Sequence, residues 1–461
     1  MRHPASPRPV RRSLRRAGAA AALAGSLLLF AQPAAAQSIL RDAETEALFA
    51  DMSADIVKAS GLNPRDVKIV LINDQSINAF VVGGQAVYIH SGLIQAADNA
   101  NEVQGVIAHE VGHIADGHVL SGEAAMKPAV ATTILSMVLG LGAMAAGAGE
   151  AGAGIMAMGQ QAAMGNYLAF NRVQESTADA SAIRYLATAG VSGRGMISFF
   201  KKLQQQEYRY RGEIDPFMQT HPMSGERVAN LSADIQASKA YSVPSDPAIE
   251  ERFRRVKAKL AGYVLPPGET LTLYPETDQS IYARYARAYA FHKSGHPEKA
   301  DAEANALVAA DPDDPYFLEV KGQILLEAGK PAQALAPLRA ATEGARYNPL
   351  IATTYGHALI ATENKANYPE AIRVLRIATG RDDDNPWGWL QLGTAYELTG
   401  DTARAALATA ERAQMTGDPR TAVQSAKYAM ANIPANTPDW IRAQDIAMTA
   451  ADAAAKDKKR R

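Results

Sequence analysis

The sequence predicts an α+β domain, mostly helical with a small sheet, followed by an all-α solenoid of helical hairpins. Three observations carry this prediction. Short β-branched runs surround a Gly-Gly pair near residue 83. Apolar residues recur at helical spacing through the segment holding His109 and His113. Beyond residue 280, small residues and prolines share one beat of about 34 residues.

Residues 1–36 read as an export signal. Arg11, Arg12, Arg15 and Arg16 precede the uncharged run Ala17 to Phe30, and Ala34-Ala35-Ala36 offers small residues for cleavage before Gln37. Arg11-Arg12 with Leu14 loosely matches a twin-arginine signal, but the general secretory route is the expectation. The signal holds six of the 47 Lys and Arg and none of the 48 acids, leaving 41 basic side chains and a net charge of −7. That balance gives no reason for nucleic-acid binding. The chain has no cysteine, so no disulfide staples it, and any metal must be held by His and carboxylate. A cleavable signal without a lipid-attachment cysteine points to a Gram-negative periplasm, or to secretion.

Residues 37–240 form the first domain. Val67 to Ile72 reads as a strand, and Ala79 to Val82 with Ala86 to His90 flank Gly83-Gly84, a two-residue hairpin signal. Val103, Val106, Ile107, Val111 and Ile114 mark a helix, with Asn99 or Asn101 as its cap. The 44 residues of 128–171 carry one charge, Glu150, and are rich in Ala, Gly and Met. They are too weakly apolar for a good membrane span, so a helical hairpin acting as an apolar flap, or peripheral membrane contact, is expected. Gly190 ends a helix and Ser192 caps the next, through Phe199, Phe200 and Leu203.

Residues 241–280 read as a connector with one helix, Ile249 to Leu260, and a Pro266-Pro267-Gly268 breaker. Residues 281–454 then repeat. Ala300, Ala334, Ala371 and Ala405 stand 34, 37 and 34 apart, and Gly322, Gly356 and Gly393 stand 34 and 37 apart. Pro315, Pro349, Pro386 and Pro419 end successive units, and one insertion near Asn364–Tyr368 accounts for the longer interval. This unit is similar to the tetratricopeptide repeat, whose solenoids hold peptides and protein partners. Four units reach residue 420, a looser fifth follows, and a basic tail closes the chain at 455–461.

The chemistry lies in His109-Glu110-Val111-Gly112-His113. On a helix the two imidazoles share a face, and Glu110 stands beside them to take a proton from water. Two neutral nitrogens suit Zn²⁺, but a catalytic zinc site needs a third protein ligand. A metzincin would have Gly and His where this chain has Asp116 and Val119. His118 falls about 140° off the metal-facing side of an ideal helix and reads as structural. The downstream Glu175-Ser176-Thr177-Ala178-Asp179 puts two carboxylates on one helix face. Glu175 can ligate, and Asp179 can orient an imidazole; a solvated acidic face is the alternative.

These pieces together resemble the gluzincin zinc metalloproteases that include the CAAX prenyl protease and the bacterial heat-shock membrane protease. The match runs over residues 67–235. It comprises Asn78-Ala79-Phe80 with its Gly-rich hairpin, the His-Glu-x-x-His and Glu-x-x-Ala-Asp helices, and His221-Pro222 followed by Arg227. The resemblance implies a zincin-like fold, with one Zn²⁺ per subunit held by His109, His113 and Glu175. Glu110 is then the general base and Asp179 supports a ligand. His221 acts either as an oxyanion donor, helped by Arg227, or as a fourth ligand that excludes water. The strand Ala86 to His90, with Val87 and Tyr88, would add substrate at a sheet edge beside Asn78, Ala79 and Phe80. Repeat-bearing exported members imply a periplasmic zinc endopeptidase and chaperone. Its partners would be unfolded or misassembled outer-membrane proteins and, through the repeats, the outer-membrane assembly machinery. The alternatives are a repeat-based binding module with a latent metal site, and a peptide-processing metalloprotease acting at the membrane.

Overall fold

The computed structural model describes residues 38–118, 133–139, 141, 149–209, 221 and 225–460. It divides into two units, Met1–Ile39 and Leu40–Arg461. Of the first, only Ser38 and Ile39 are described, in strand β1 (Ser38–Leu40). The predicted export signal, much of the apolar stretch before residue 149, and the residues flanking His221 lie outside the described residues.

Strands β2 (Lys68–Asn73), β3 (Ala79–Val81) and β4 (Ala86–His90) begin the second unit. β4 lies between the other two, parallel to β2 and antiparallel to β3, with Ala79 opposite Ile89. Substrate pairing along Ala86–His90 required an edge position, and β4 does not have one; β3 lies outside it. Adjacent strands in sequence need not be outermost, and here the chain returns so that β4 pairs on both sides. The turn is also longer than predicted, four residues from Val82 to Gln85.

The motif helix Ala100–Ala115 is capped by Asn99, whose side chain accepts from the Glu102 amide. Asn101 instead ties this helix to the next layer, donating to the Ser192 carbonyl and accepting from the Gly195 amide, both at 2.8 Å. Val103, Val106, Ile107 and Val111 face a core shared with Phe49, Ile89, Leu186, Phe199 and Phe253. The long helix Gly149–Ala189 crosses the motif helix where Gly112 meets Ala178. A Cβ on Gly112 would stand 2.9 Å from the Ala178 carbonyl oxygen, so only glycine permits this approach without a shift.

Among the described residues no helix is long and apolar enough to cross a membrane. Where described, the apolar stretch forms a helix at 133–139 whose Ile134, Leu135 and Val138 are exposed. Helix Pro247–Val264 is more than the predicted connector. Phe253, Val256 and Leu260 belong to the peptidase-side core, and the helix also packs on Ile281–Lys293. Pro266 and Pro267 start a short helix, Pro267–Leu273, rather than only breaking one.

At that junction Lys259 pairs with Asp42 and, at 3.6 Å, with Glu44. Arg255 reaches Glu44 at 2.9 Å and Asp314 at 2.7 Å, and the Tyr285 hydroxyl donates to Glu44 at 2.7 Å. Five antiparallel helix pairs follow, from Ile281–Lys293 with Pro297–Ala310 to Pro419–Asn432 with Pro438–Arg460. Ala300, Ala334 and Ala371 are fully buried between paired helices. The periodic prolines do not end units: Pro315, Pro349, Pro386 and Pro419 open them, in the first turn, where a missing N–H costs no helical bond. The insertion is a 3₁₀ turn, Lys365–Asn367.

Candidate metal centre

Two helices bring four side chains to one point because each spaces its pair by one turn. The motif helix supplies His109 and His113, and the long helix supplies Glu175 and Asp179, with the Gly112–Ala178 contact between the pairs. His221 approaches from outside both helices and is buried. His109 Nε2 lies 3.2 Å from His113 Nε2, 3.2 Å from His221 Nδ1 and 3.3 Å from Glu175 Oε2. His113 Nε2 is 3.4 Å from Glu175 Oε1, and His221 Nδ1 is 3.0 Å from the same carboxylate.

Those separations test whether an ion fits. A tetrahedral ion with bonds of about 2.0–2.1 Å needs donors about 3.3 Å apart. The donor atoms of His109, His113, Glu175 and His221 all lie within 4.8 Å of one another, and the close pairs match that edge. Three nitrogens and a carboxylate oxygen, without sulfur, suit a divalent ion of zinc's kind.

A second layer fixes the donors. Asp179 Oδ1 is 3.0 Å from His109 Nδ1, an ion-pair contact rather than an aligned hydrogen bond. Arg227 donates to Asp179 at 2.6 and 2.9 Å and meets Glu175 at 2.9 Å. Its fork is thus shared between two carboxylates. His118 Nδ1 lies 3.0 Å from His113 Nδ1. His118 is thus a supporting neighbour of His113 rather than a donor, but the ideal-helix angle does not place it: Gly117 adopts φ 70° and the helix stops at Ala115. That glycine was the available signal.

Burial opposes protonation of His109, yet Asp179 and Glu175 outweigh it and push its pKa up to about 10. Burial favours the neutral form of Glu175, but His221, His109 and His113 hold its carboxyl far below the usual range. Burial opposes ionising Asp179, but Arg227 and His109 lower its pKa as well. Burial lowers His113, favouring the neutral ring that a metal requires. Glu110 is 1% exposed; its Oε1 has no hydrogen-bond partner among the described residues and lies 3.5 Å from His221 Nε2. A buried carboxylate oxygen left open beside the donor cluster is placed to hold a water.

The residues predicted to meet substrate divide by face. Ala79 and Val87 are fully buried in the core, and Asn78 is buried. Phe80 and Tyr88 stack at 5.3 Å on the opposite, partly exposed face.

Residues 40–235 match the profile of Peptidase family M48. Over 190 residues the chain is 30% identical to the metalloprotease YcaL of Escherichia coli (strain K12), which covers 40% of this chain and 70% of that protein. The chain belongs to peptidase family M48. Longer M48 relatives extend into the repeats. A beta-barrel assembly-enhancing protease of Yersinia pestis is 26% identical over 359 residues, 75% of this chain and 71% of that one. Its namesake in Escherichia coli (strain K12) is 27% identical over 360 residues, 75% and 71% of the two chains. As an M48 metalloprotease the chain requires a metal, and its one described cluster of candidate ligands is His109, His113, Glu175 and His221.

Proposed function

We propose that this M48 protein is a periplasmic zinc endopeptidase, and also a chaperone, that acts on unfolded or misassembled outer-membrane proteins. The observation carrying the chemistry is the convergence of His109, His113, Glu175 and His221, with donor atoms within 4.8 Å of one another, beside the open oxygen of Glu110. Zinc bound there would supply Lewis acidity. Glu110 takes the proton from the attacking water and returns it to the leaving amine. Asp179, held by Arg227, keeps the His109 ring in place, and His118 does the same for His113. The edge strand β3 offers backbone groups to an extended substrate, which reads strands rather than sequences. The client class rests on the names of the relatives, and the location on the predicted signal at 1–36.

His221 decides whether the resting enzyme is open. Its Nδ1 stands in the donor set, not over a separate oxyanion position, which favours the reading that it occupies the fourth place and excludes water. Replacing it should release the block. Purified protein should hold about one zinc per chain, and His221→Ala should hydrolyse casein faster than wild type. Zinc-loaded His221→Ala with turnover reduced by about 10² would instead mark an oxyanion donor.

A further inference from the structure

A second cavity, remote in sequence from the metal, lies among the later repeat helices Tyr368–Arg381, Pro386–Thr399, Thr402–Met415 and Pro438–Arg460. Its volume is about 160 Å³. That is well below the roughly 300–1,000 Å³ of small-molecule sites, so it admits the end of a chain rather than a whole ligand. One wall is apolar, formed by Trp389, Leu392 and Leu407. The other carries Arg376, Arg404 and Arg442 with Tyr396, and Asp439 brings one carboxylate to the same lining.

Two of these arginines are already matched. Arg404 pairs with Asp401 and Asp439, both at 2.7 Å. Arg442 pairs with Glu411, lies 3.7 Å from Asp383, and stacks over Trp389 at 4.8 Å. Arg376 differs: among the described residues no carboxylate lies within ion-pair distance of its guanidinium, and its side chain makes no hydrogen bond. Tyr396 is 6% exposed, and its hydroxyl has no hydrogen-bond partner among the described residues. The cavity thus sets one arginine without an ion-pair partner and one unused hydroxyl beside apolar side chains.

We propose that this cavity binds the C-terminal residue of an extended polypeptide, its carboxylate on Arg376 and Tyr396 and its apolar side chain against Trp389 and Leu407. A terminal residue carries a carboxylate and a side chain on one Cα, so it satisfies both walls within one residue's reach. An acidic residue inside a chain brings a carboxylate but leaves the apolar wall uncovered. Arg supplies the planar, two-pronged donor that a carboxylate prefers.

The test measures binding of a fluorescein-labelled hexapeptide ending in Phe to the full-length protein by anisotropy. The free acid should bind, more weakly as salt rises. Its C-terminal amide, and an amide with an interior Glu, should each bind about tenfold or more weakly. Arg376→Glu and Arg376→Gln should both lose that preference; Arg376 is exposed, and unchanged circular dichroism confirms that either variant folds. No binding of the free acid, equal binding of either amide, or wild-type binding by both folded variants overturns the proposal. Casein hydrolysis by the same variants should be unchanged, so failure here is separate from failure of the metal site.

Discussion

The metal centre and the junction between helix Pro247–Val264 and the repeats are both buried ionic clusters, and they differ in where their lone pairs point. At the junction, Lys259 and Arg255 each face carboxylates of Asp42, Glu44 and Asp314, and Tyr285 adds a hydroxyl to Glu44. Cations and carboxylates meet there in pairs, with Glu319 as a further acid beside them. At the metal centre the nitrogens of three histidines and a carboxylate crowd together at 3.0–3.4 Å, a spacing that suits donors around a shared cation. Burial and charge alone would not separate a site from a strut; convergence of acceptors does.

The sharpest way to break this comparison is to mutate one member of each cluster and read both activity and stability. Glu110→Gln should keep the metal and the fold but lose about 10² to 10⁴ in turnover, measured as casein hydrolysis by metal-loaded protein. Near wild-type turnover would remove Glu110 from its role. Lys259→Met should do the reverse, costing about 3 kcal/mol in denaturant unfolding by leaving Asp42 without its cation and Glu44 with Arg255 alone. The folded variant should retain its metal. If metal is lost with Lys259, the two clusters are coupled and the contrast fails.

A smaller effect probes the second layer. Asp179→Asn keeps the shape but weakens the hold on His109, and about 10- to 100-fold in metal affinity is expected from competition with a chelator. Glu319 gives the smallest. Burial, reinforced by Asp42 and Glu44 and opposed by Lys259, pushes its pKa up to about 8. A carboxyl with a raised folded pKa binds its proton more tightly in the folded than in the unfolded state. Stability is therefore lost as pH rises from the unfolded value of about 4.5 through 8. Glu319→Gln should be nearly neutral at pH 5 and stabilising at pH 8.5, seen as a rise in Tm at the higher pH. A rise at both pH values would trace the effect to packing instead.

The parts readable from sequence were those governed by local period. Four-residue spacing put His109 beside His113 and Glu175 beside Asp179, and the 34-residue beat of Ala300, Ala334 and Gly322 marked the paired helices. What escaped was set by contacts distant in sequence. Nothing local says that β4 pairs on both sides, or that Phe253 and Leu260 leave a connector to enter the first core. His118 escaped for a narrower reason, since one left-handed glycine turned it back towards His113.

Helix Pro247–Val264 spans 18 residues, about 27 Å, with one flank in the peptidase core and the other on the first repeat. No flexible tether separates the two regions at that point. A polypeptide held by the repeats, as proposed, would therefore stand at a set offset from His109, like work in a fixed-jaw caliper.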